Sequence, residues 1–284
     1  MTNIDQFESL FNAAHKPQFQ TEPLRLDSVM VVTDLPVDDA RRFSHACRQF
    51  VTSLDSTGLV NWSVLAAEDY ASVDKLMQHV LDNPPDLICT YRNLKNPARD
   101  YPFSLGTYLD VLTQVAEAPV LVMPRPNSAD GGELTPPTVV MAITDHLAGD
   151  RHLVSYAVRF TARSGQLFLC HIEDQAILRR YVAAFSKIPA IDTESAAAEL
   201  EHQLLKEPHD YVTSCREHLH EMRADLKVDE VVTLGHQLKD YVRLIGDHGV
   251  RLVVLNTKDD DQLAIHGLAY PLAVELRDTP LLLL

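Results

Sequence analysis

The sequence predicts an α/β protein made of two doubly wound, open parallel-sheet units in tandem. The first observation behind this is a repeat: Val29-Met30-Val31-Val32-Thr33-Asp34 returns as Val140-Met141-Ala142-Ile143-Thr144-Asp145, and Ala118-Pro119-Val120-Leu121-Val122-Met123 returns as Thr279-Pro280-Leu281-Leu282-Leu283-Leu284. Each copy opens with an apolar run ending in an acid and closes with an apolar run begun by proline, so the repeat has the size of a domain. Secondly, continuous apolar runs alternate with amphipathic segments, the pattern of parallel strands covered by helices on both faces. Thirdly, Pro124, Pro126, Gly131, Gly132, Pro136 and Pro137 crowd one stretch that can continue neither a helix nor a strand, which marks a boundary.

The elements follow in order. Residues 1–26 precede the repeat, and Ile4, Phe7 and Phe11 share a helical face, which predicts a short docked helix and a lead-in punctuated by Pro17 and Pro23. The first unit, 27–126, reads as strand 29–33, helix 38–54, strand 60–66, helix 72–81 stopped by Asn83-Pro84-Pro85, strand 87–90, helix 105–116 and strand 120–123. A linker of 127–137 follows. The second unit, 138–284, begins with a strand at Thr138 and a helix over 150–163, then a strand over 166–172 and a long helical stretch that Pro189 and Pro208 are expected to break. Strand 229–234, helix 237–247, strand 252–255, helix 268–276 and strand 281–284 complete it. The first unit thus has about four strands and the second five, the second being longer by about one βα unit plus an extension. The segment 60–90 matches 228–256 best, so the second strand and helix are the expected loss from the first unit.

Composition narrows the function. The chain has 284 residues and a formal net charge of −15. An acidic field with no Lys/Arg stripe repels phosphate backbones, which argues against nucleic acid. No apolar run approaches the roughly 18 residues of a membrane span, and the start has neither the basic nor the apolar region of a secretory signal. The expected place is the cytoplasm. Cys47, Cys89, Cys170 and Cys215 lack paired metal or dithiol spacing and read as buried, reduced thiols.

An apolar first strand ending in Asp, the strand start Asp86-Leu87-Ile88, a loop, Gly106-Thr107 at a helix start and the closing Ala118-Pro119-Val120-Leu121-Val122 together resemble the universal stress protein domain. The resemblance spans 27–284 and looks like the two-domain members of that family. It implies an adenine nucleotide alpha hydrolase-like fold and a role in stress response. It also implies that the Asp ending the first strand, Asp34 or Asp145, meets the adenine or ribose side of a nucleotide in members that bind ATP. Those members carry Gly-x2-Gly-x9-Gly-Ser/Thr, whose amides and helix N-terminus cradle phosphates. The first unit reads Asn93-x2-Asn96-x9-Gly106-Thr107: the spacing is kept, two glycines are asparagine, and Arg92, Lys95 and Arg99 lie nearby. Asn tolerates the left-handed backbone, but its side chain would crowd a phosphate. In the second unit only Gly267 keeps the pattern, Asn256 begins the loop, and Asp259-Asp260-Asp261 would repel a triphosphate.

No Gly-Lys-Ser/Thr phosphate loop, Gly-x-Gly-x-x-Gly, serine-hydrolase elbow or His-Glu-x-x-His occurs. His218-Leu219-His220, with His202 and His209 nearby, puts its imidazoles on different sides of a helix and reads as a solvated face, not a metal site. The leading expectation is a non-catalytic tandem stress protein without cofactor or metal, regulatory or a scaffold. Its two units pack as a pseudo-dimer through Val120–Met123 and Leu281–Leu284, with a homodimer as a further expectation. The alternatives are an ATP or AMP sensor using Asp34, Asn93, Asn96, Gly106 and Thr107, and a nucleotide-dependent enzyme on a related scaffold.

Overall fold

The computed structural model describes residues 19–52, 58–96, 103–126, 135–143, 150–257 and 267–284. The expected N-terminal helix, Arg99, Asp145 and Asp259–Asp261 lie outside the described residues, as does most of the linker.

The first half runs β1 Ser28–Val32, α1 Val37–Phe50, β2 Asn61–Leu65, α2 Val73–Asp82, β3 Leu87–Tyr91, α3 Thr107–Val115 and β4 Val120–Met123. The second runs β5 Val139–Ile143, α4 Arg151–Phe160, β6 Gln166–Asp174, α5 Gln175–Phe185, α6 Thr193–Met222, β7 Lys227–Gly235, α7 Gln237–Asp247, β8 Leu252–Leu255, α8 Ala269–Glu275 and β9 Leu281–Leu283. Strands β1, β3, β4, β5, β8 and β9 are buried almost throughout, as their unbroken apolar runs require. All four cysteines are free and buried, packed as small apolar groups.

The two open sheets expected are hydrogen-bonded into one. Nine strands form a single sheet in the order β2-β1-β3-β4-β9-β8-β5-β6-β7. Every step is parallel except β4–β9, which is antiparallel and sets Val120, Leu121 and Val122 opposite Leu283, Leu282 and Leu281. Two apolar edge strands left open would each present unpaired N–H and C=O groups, and pairing them removes both edges.

Register relates the halves residue by residue. Val29 pairs with Leu87 as Val140 pairs with Leu252, and Ile88 pairs with Val120 as Val253 pairs with Leu281. Entry bonds repeat too: Asp86 N donates to Ser28 O as Arg251 N does to Val139 O, and Ile88 N to Pro119 O as Val253 N to Pro280 O. Leu121 and Leu282 are therefore equivalent positions that face each other, the self-complementary contact of a two-fold.

The same ladders correct one alignment. β2 pairs with β1 as β6 pairs with β5, and Asn61 N donates to Asp27 O as Gln166 N donates to Thr138 O. Thus β2 stands in the place of β6, and the strand without a first-half counterpart among the described residues is the outer β7, not the second strand.

Proline also acts differently from expectation. Pro208 lies inside the 30-residue α6 without ending it. Beyond it Tyr211, Val212, Cys215 and Leu219 are buried, and burying four such side chains outweighs the roughly 3 kcal/mol that an interior proline costs. The lead-in docks on the second half: Phe19 is buried, meets Tyr211 and His218 edge-on, and donates its amide to Ser214 Oγ at 3.0 Å, while Glu22 N donates to Ser155 Oγ at 2.9 Å. His218 is consequently half-buried rather than solvated.

Leu282 is fully buried at the centre of the β4–β9 ladder. Leu282→Ala is expected to destabilise the protein by about 2–5 kcal/mol, and Leu282→Asp to prevent cooperative folding. Urea denaturation monitored by circular dichroism measures both, and an unchanged midpoint for Leu282→Ala would refute a central role for this ladder.

Candidate functional site

In open parallel sheets the ligand crevice lies outside the carboxyl ends of the strands. In the first half that region is built from the ends of β1, β3 and β4 and the start of α3. Asp34 lies two residues beyond β1, Tyr91 ends β3, and Arg125 lies two residues beyond β4.

These three side chains converge. The Tyr91 hydroxyl donates to Asp34 Oδ1 and accepts the Asp34 amide at 3.2 Å, with Thr33 Oγ1 2.6 Å away. Lys95 N donates to Asp34 Oδ2 at 2.8 Å, and Arg125 Nη2 reaches Oδ1 at 3.3 Å and Oδ2 at 3.1 Å. Arg125 Nη1 donates to Asn93 O at 3.1 Å, and the guanidinium lies over the Tyr91 ring, 5.1 Å from its centroid. Both oxygens of the carboxylate are thus held by the protein's own donors.

Lys95 closes the same region from the other side. Its ammonium donates to Ala67 O at 2.7 Å and to Tyr70 O, and sits 4.1 Å from the Tyr70 ring centroid. Tyr70 in turn donates its hydroxyl to Thr33 O at 3.1 Å. The positive loop charge is spent on carbonyls and an aromatic face rather than left for an anion.

Electrostatics follow from these contacts. Burial alone would raise the Asp34 carboxyl, but the Tyr91 hydroxyl, the Lys95 amide and Arg125 together outweigh it and hold the group below its ordinary value. Burial, then the bond to Asp34, pushes the Tyr91 phenol up, so it stays a neutral donor.

The loop of the expected phosphate cradle folds onto the start of α3. Asn93 adopts φ 57° and Lys95 φ 51°, the left-handed region that the asparagine was expected to tolerate. Asn93 N donates to Leu105 O at 2.9 Å, folding the loop onto the start of α3. Gly106, at φ 89°, is pressed against it: an added Cβ would lie 2.9 Å from Asn93 Cα and 3.0 Å from its Oδ1. That Oδ1 is buried without a hydrogen-bond partner. Thr107 begins α3 with its side chain exposed, and Asn96 N donates to Asn93 O at 3.3 Å in a tight turn. Asp34, Asn93, Asn96, Gly106 and Thr107 therefore come to one place, with Asn93 packed against Gly106, the N-cap of α3.

Arg92, next in the chain, leaves this crevice and crosses to the second half. It donates to Leu276 O at the end of α8, and burial, with Arg277 close by, lowers its guanidinium to about 10.

In the second half Gly267 takes φ 59° where the described chain resumes. Register makes Asn256 the counterpart of Tyr91. It donates to Asp150, the N-cap of α4, which also accepts Leu153 N at 2.9 Å. Sequence reasoning missed Tyr91, Tyr70, Thr33 and Arg125. The available signal was an aromatic and a cation placed at the ends of the two strands beyond β1, which matters only once the strand order is known.

No family model matches the chain, and neither does any curated protein. Solved structures share its fold. A functionally unknown protein from Pseudomonas aeruginosa PAO1 is 15% identical, with 92% of this chain and 93% of that one covered at a TM-score of 0.50. A protein assigned to the universal stress proteins, from Pseudomonas aeruginosa UCBPP-PA14, is 14% identical, with 92% and 94% covered at a TM-score of 0.50. At these identities the likeness is one of fold. Among the described residues no helix is long and apolar enough to cross a membrane.

Asp34→Asn is expected to lower stability at pH 7 by about 1–3 kcal/mol, the range for losing hydrogen bonds to a charged group. The sign with pH follows from the lowered folded-state value: the contribution is complete above the unfolded carboxyl value of about 3.9 and is lost as pH falls through the folded one. Urea midpoints of the two proteins should therefore differ at pH 7 and converge below about pH 4; a gap that persists at low pH would contradict the assigned partners.

Proposed function

We propose that the chain is a tandem universal stress protein, with units at 27–126 and 138–284, acting in stress response as a non-catalytic regulatory or scaffold protein. The fold likeness over 92% of the chain and the register-matched halves meeting at Leu121 and Leu282 support the tandem reading.

The observation that carries the non-nucleotide reading is the state of Asp34. A carboxylate that meets ribose or adenine must have an oxygen to offer, and here Tyr91, Lys95 and Arg125 hold both. A phosphate needs room at a helix start, and here Asn93 is packed against Gly106, the N-cap of α3. Nucleotide binding in the first unit would require Arg125 to leave and the left-handed turn to rebuild, costs that a binding site should not carry.

Thermal unfolding with millimolar ATP and AMP tests this. A ligand at about 100 times its dissociation constant stabilises the native state by about 2.7 kcal/mol, which is several degrees for a chain of this length. The expected shift is under about 1 °C for each nucleotide. A shift of about 5 °C or more that is lost in Gly106→Asp would overturn the proposal in favour of a first-unit nucleotide sensor.

A further inference from the structure

A second concavity lies at the carboxyl ends of β6 and β7, between the starts of α5 and α7 and one side of α8. It is a groove of about 920 Å³, a volume within the range of small-molecule sites. Its apolar lining includes Ile177, Leu238, Val242 and Pro271, and Ile177 and Val242 are among the large hydrophobic side chains left exposed, at 45% and 37%. Apolar side chains gathered in a concave surface are the usual floor of a ligand site.

The charges around this floor have the wrong sign for a nucleotide. Glu173, Asp174 and Glu275 line the groove, opposed by the single lysine Lys239. Two helices begin here, and their free amides would ordinarily attract an anion. One N–H at each start is engaged by a carboxylate: Asp174 Oδ1 accepts Ala176 N at 2.8 Å in the first turn of α5, and Asp240 Oδ2 accepts the N–H of His236, the N-cap of α7, at 2.7 Å. A carboxylate thus stands at the cap or in the first turn of each helix, where it offsets the positive end of the dipole. What remains facing the groove is Glu275, exposed at its rim, and Glu173, whose Oε2 lies 3.3 Å from Nε2 of the buried His171.

We propose that this groove binds a small amphipathic organic cation, an alkyl- or aryl-ammonium whose apolar body lies on Ile177, Leu238, Val242 and Pro271 and whose ammonium is drawn to Glu173 and Glu275. Charge complementarity selects the occupant: an anion would meet the three carboxylates of Glu173, Asp174 and Glu275, and a neutral apolar molecule would leave the acidic rim unused. The site is independent of the first-half crevice and of whether that crevice holds a nucleotide.

Three isosteres on the full chain test it by titration calorimetry: 2-phenylethylammonium, neutral 2-phenylethanol and anionic 3-phenylpropanoate. The ammonium should bind saturably, about fivefold more tightly than the alcohol and at least about tenfold more tightly than the carboxylate, as expected when partly exposed ion pairs are gained, lost or reversed. The double variant Glu173→Gln/Glu275→Gln should weaken ammonium binding about fivefold while leaving the alcohol unchanged, its fold verified by an unaltered circular dichroism spectrum. Because Glu173 neighbours buried His171, the single variant Glu275→Gln, at an exposed position, supplies the same readout should the double variant fail to fold. Equal affinity for ammonium and alcohol, tighter binding of the carboxylate, ammonium binding indifferent to Glu275→Gln, or no saturable binding of the ammonium would each overturn the proposal.

Discussion

The antiparallel ladder between β4 and β9 is the contact on which the rest of the architecture depends. Each half ends in a short apolar strand whose outer edge would be an open template for another chain. Joining the two edges satisfies the backbone of both and buries Val120, Leu121, Leu281 and Leu282 at once. Because Leu121 and Leu282 are equivalent positions, the contact is self-complementary, and one short apolar pattern suffices for both sides. The direction of the ladder also sets the direction of everything attached to it. All first-half strands run opposite to all second-half strands, so the carboxyl ends of the two halves, and with them their crevices, are set on opposite sides of the junction. Two crevices built on one plan are thereby separated and free to differ.

They do differ, and in opposite electrostatic senses. The first crevice draws its own cations inward: Arg125 and the amide of Lys95 neutralise Asp34, while the ammonium of Lys95 is absorbed by Ala67, Tyr70 and the Tyr70 ring. The second places a carboxylate at each helix start, Asp174 on α5 and Asp240 on α7, and leaves further acids at the rim. The first region is closed by charge pairing and by the Asn93–Gly106 contact, whereas the second stays concave because its apolar side chains have no partner among the described residues to cover them.

Much of this was legible in the sequence where burial alone decides. Val120–Met123, Gln237–Asp247 and Leu252–Leu255 occur where their apolar periodicity places them. The repeat beginning at Val29 and Val140 is also the structural register. Pattern fails where the answer lies in a neighbour. Asn61–Leu65 reads as a strand, yet nothing in those residues says that they pair with β1, so comparing 60–90 with 228–256 put the lost strand in the wrong place. Pro208 reads as a break because the local cost is visible and the burial of Tyr211, Val212 and Leu219 on the sheet is not. At the crevice, Asp34, Asn93, Asn96, Gly106 and Thr107 were legible from spacing and do come together. Tyr91 and Arg125 were not, since each acquires its role only when β3 and β4 are laid beside β1.

That last point bears on how an acid at the end of a first strand should be read. A half-buried carboxylate must be satisfied by something, because an unpaired charge in a low-dielectric place is costly. In a ligand-binding crevice the ligand and water do this. Here it is done by a phenol from one neighbouring strand, a guanidinium beyond the next, and a backbone amide held in a left-handed turn. Asp34 then ties β1, β3 and the chain leaving β4 together at the open end of the half-sheet, where loops would otherwise splay. The residue that suggests a ligand in the sequence acts in the fold as a clamp between β1, β3 and the chain leaving β4.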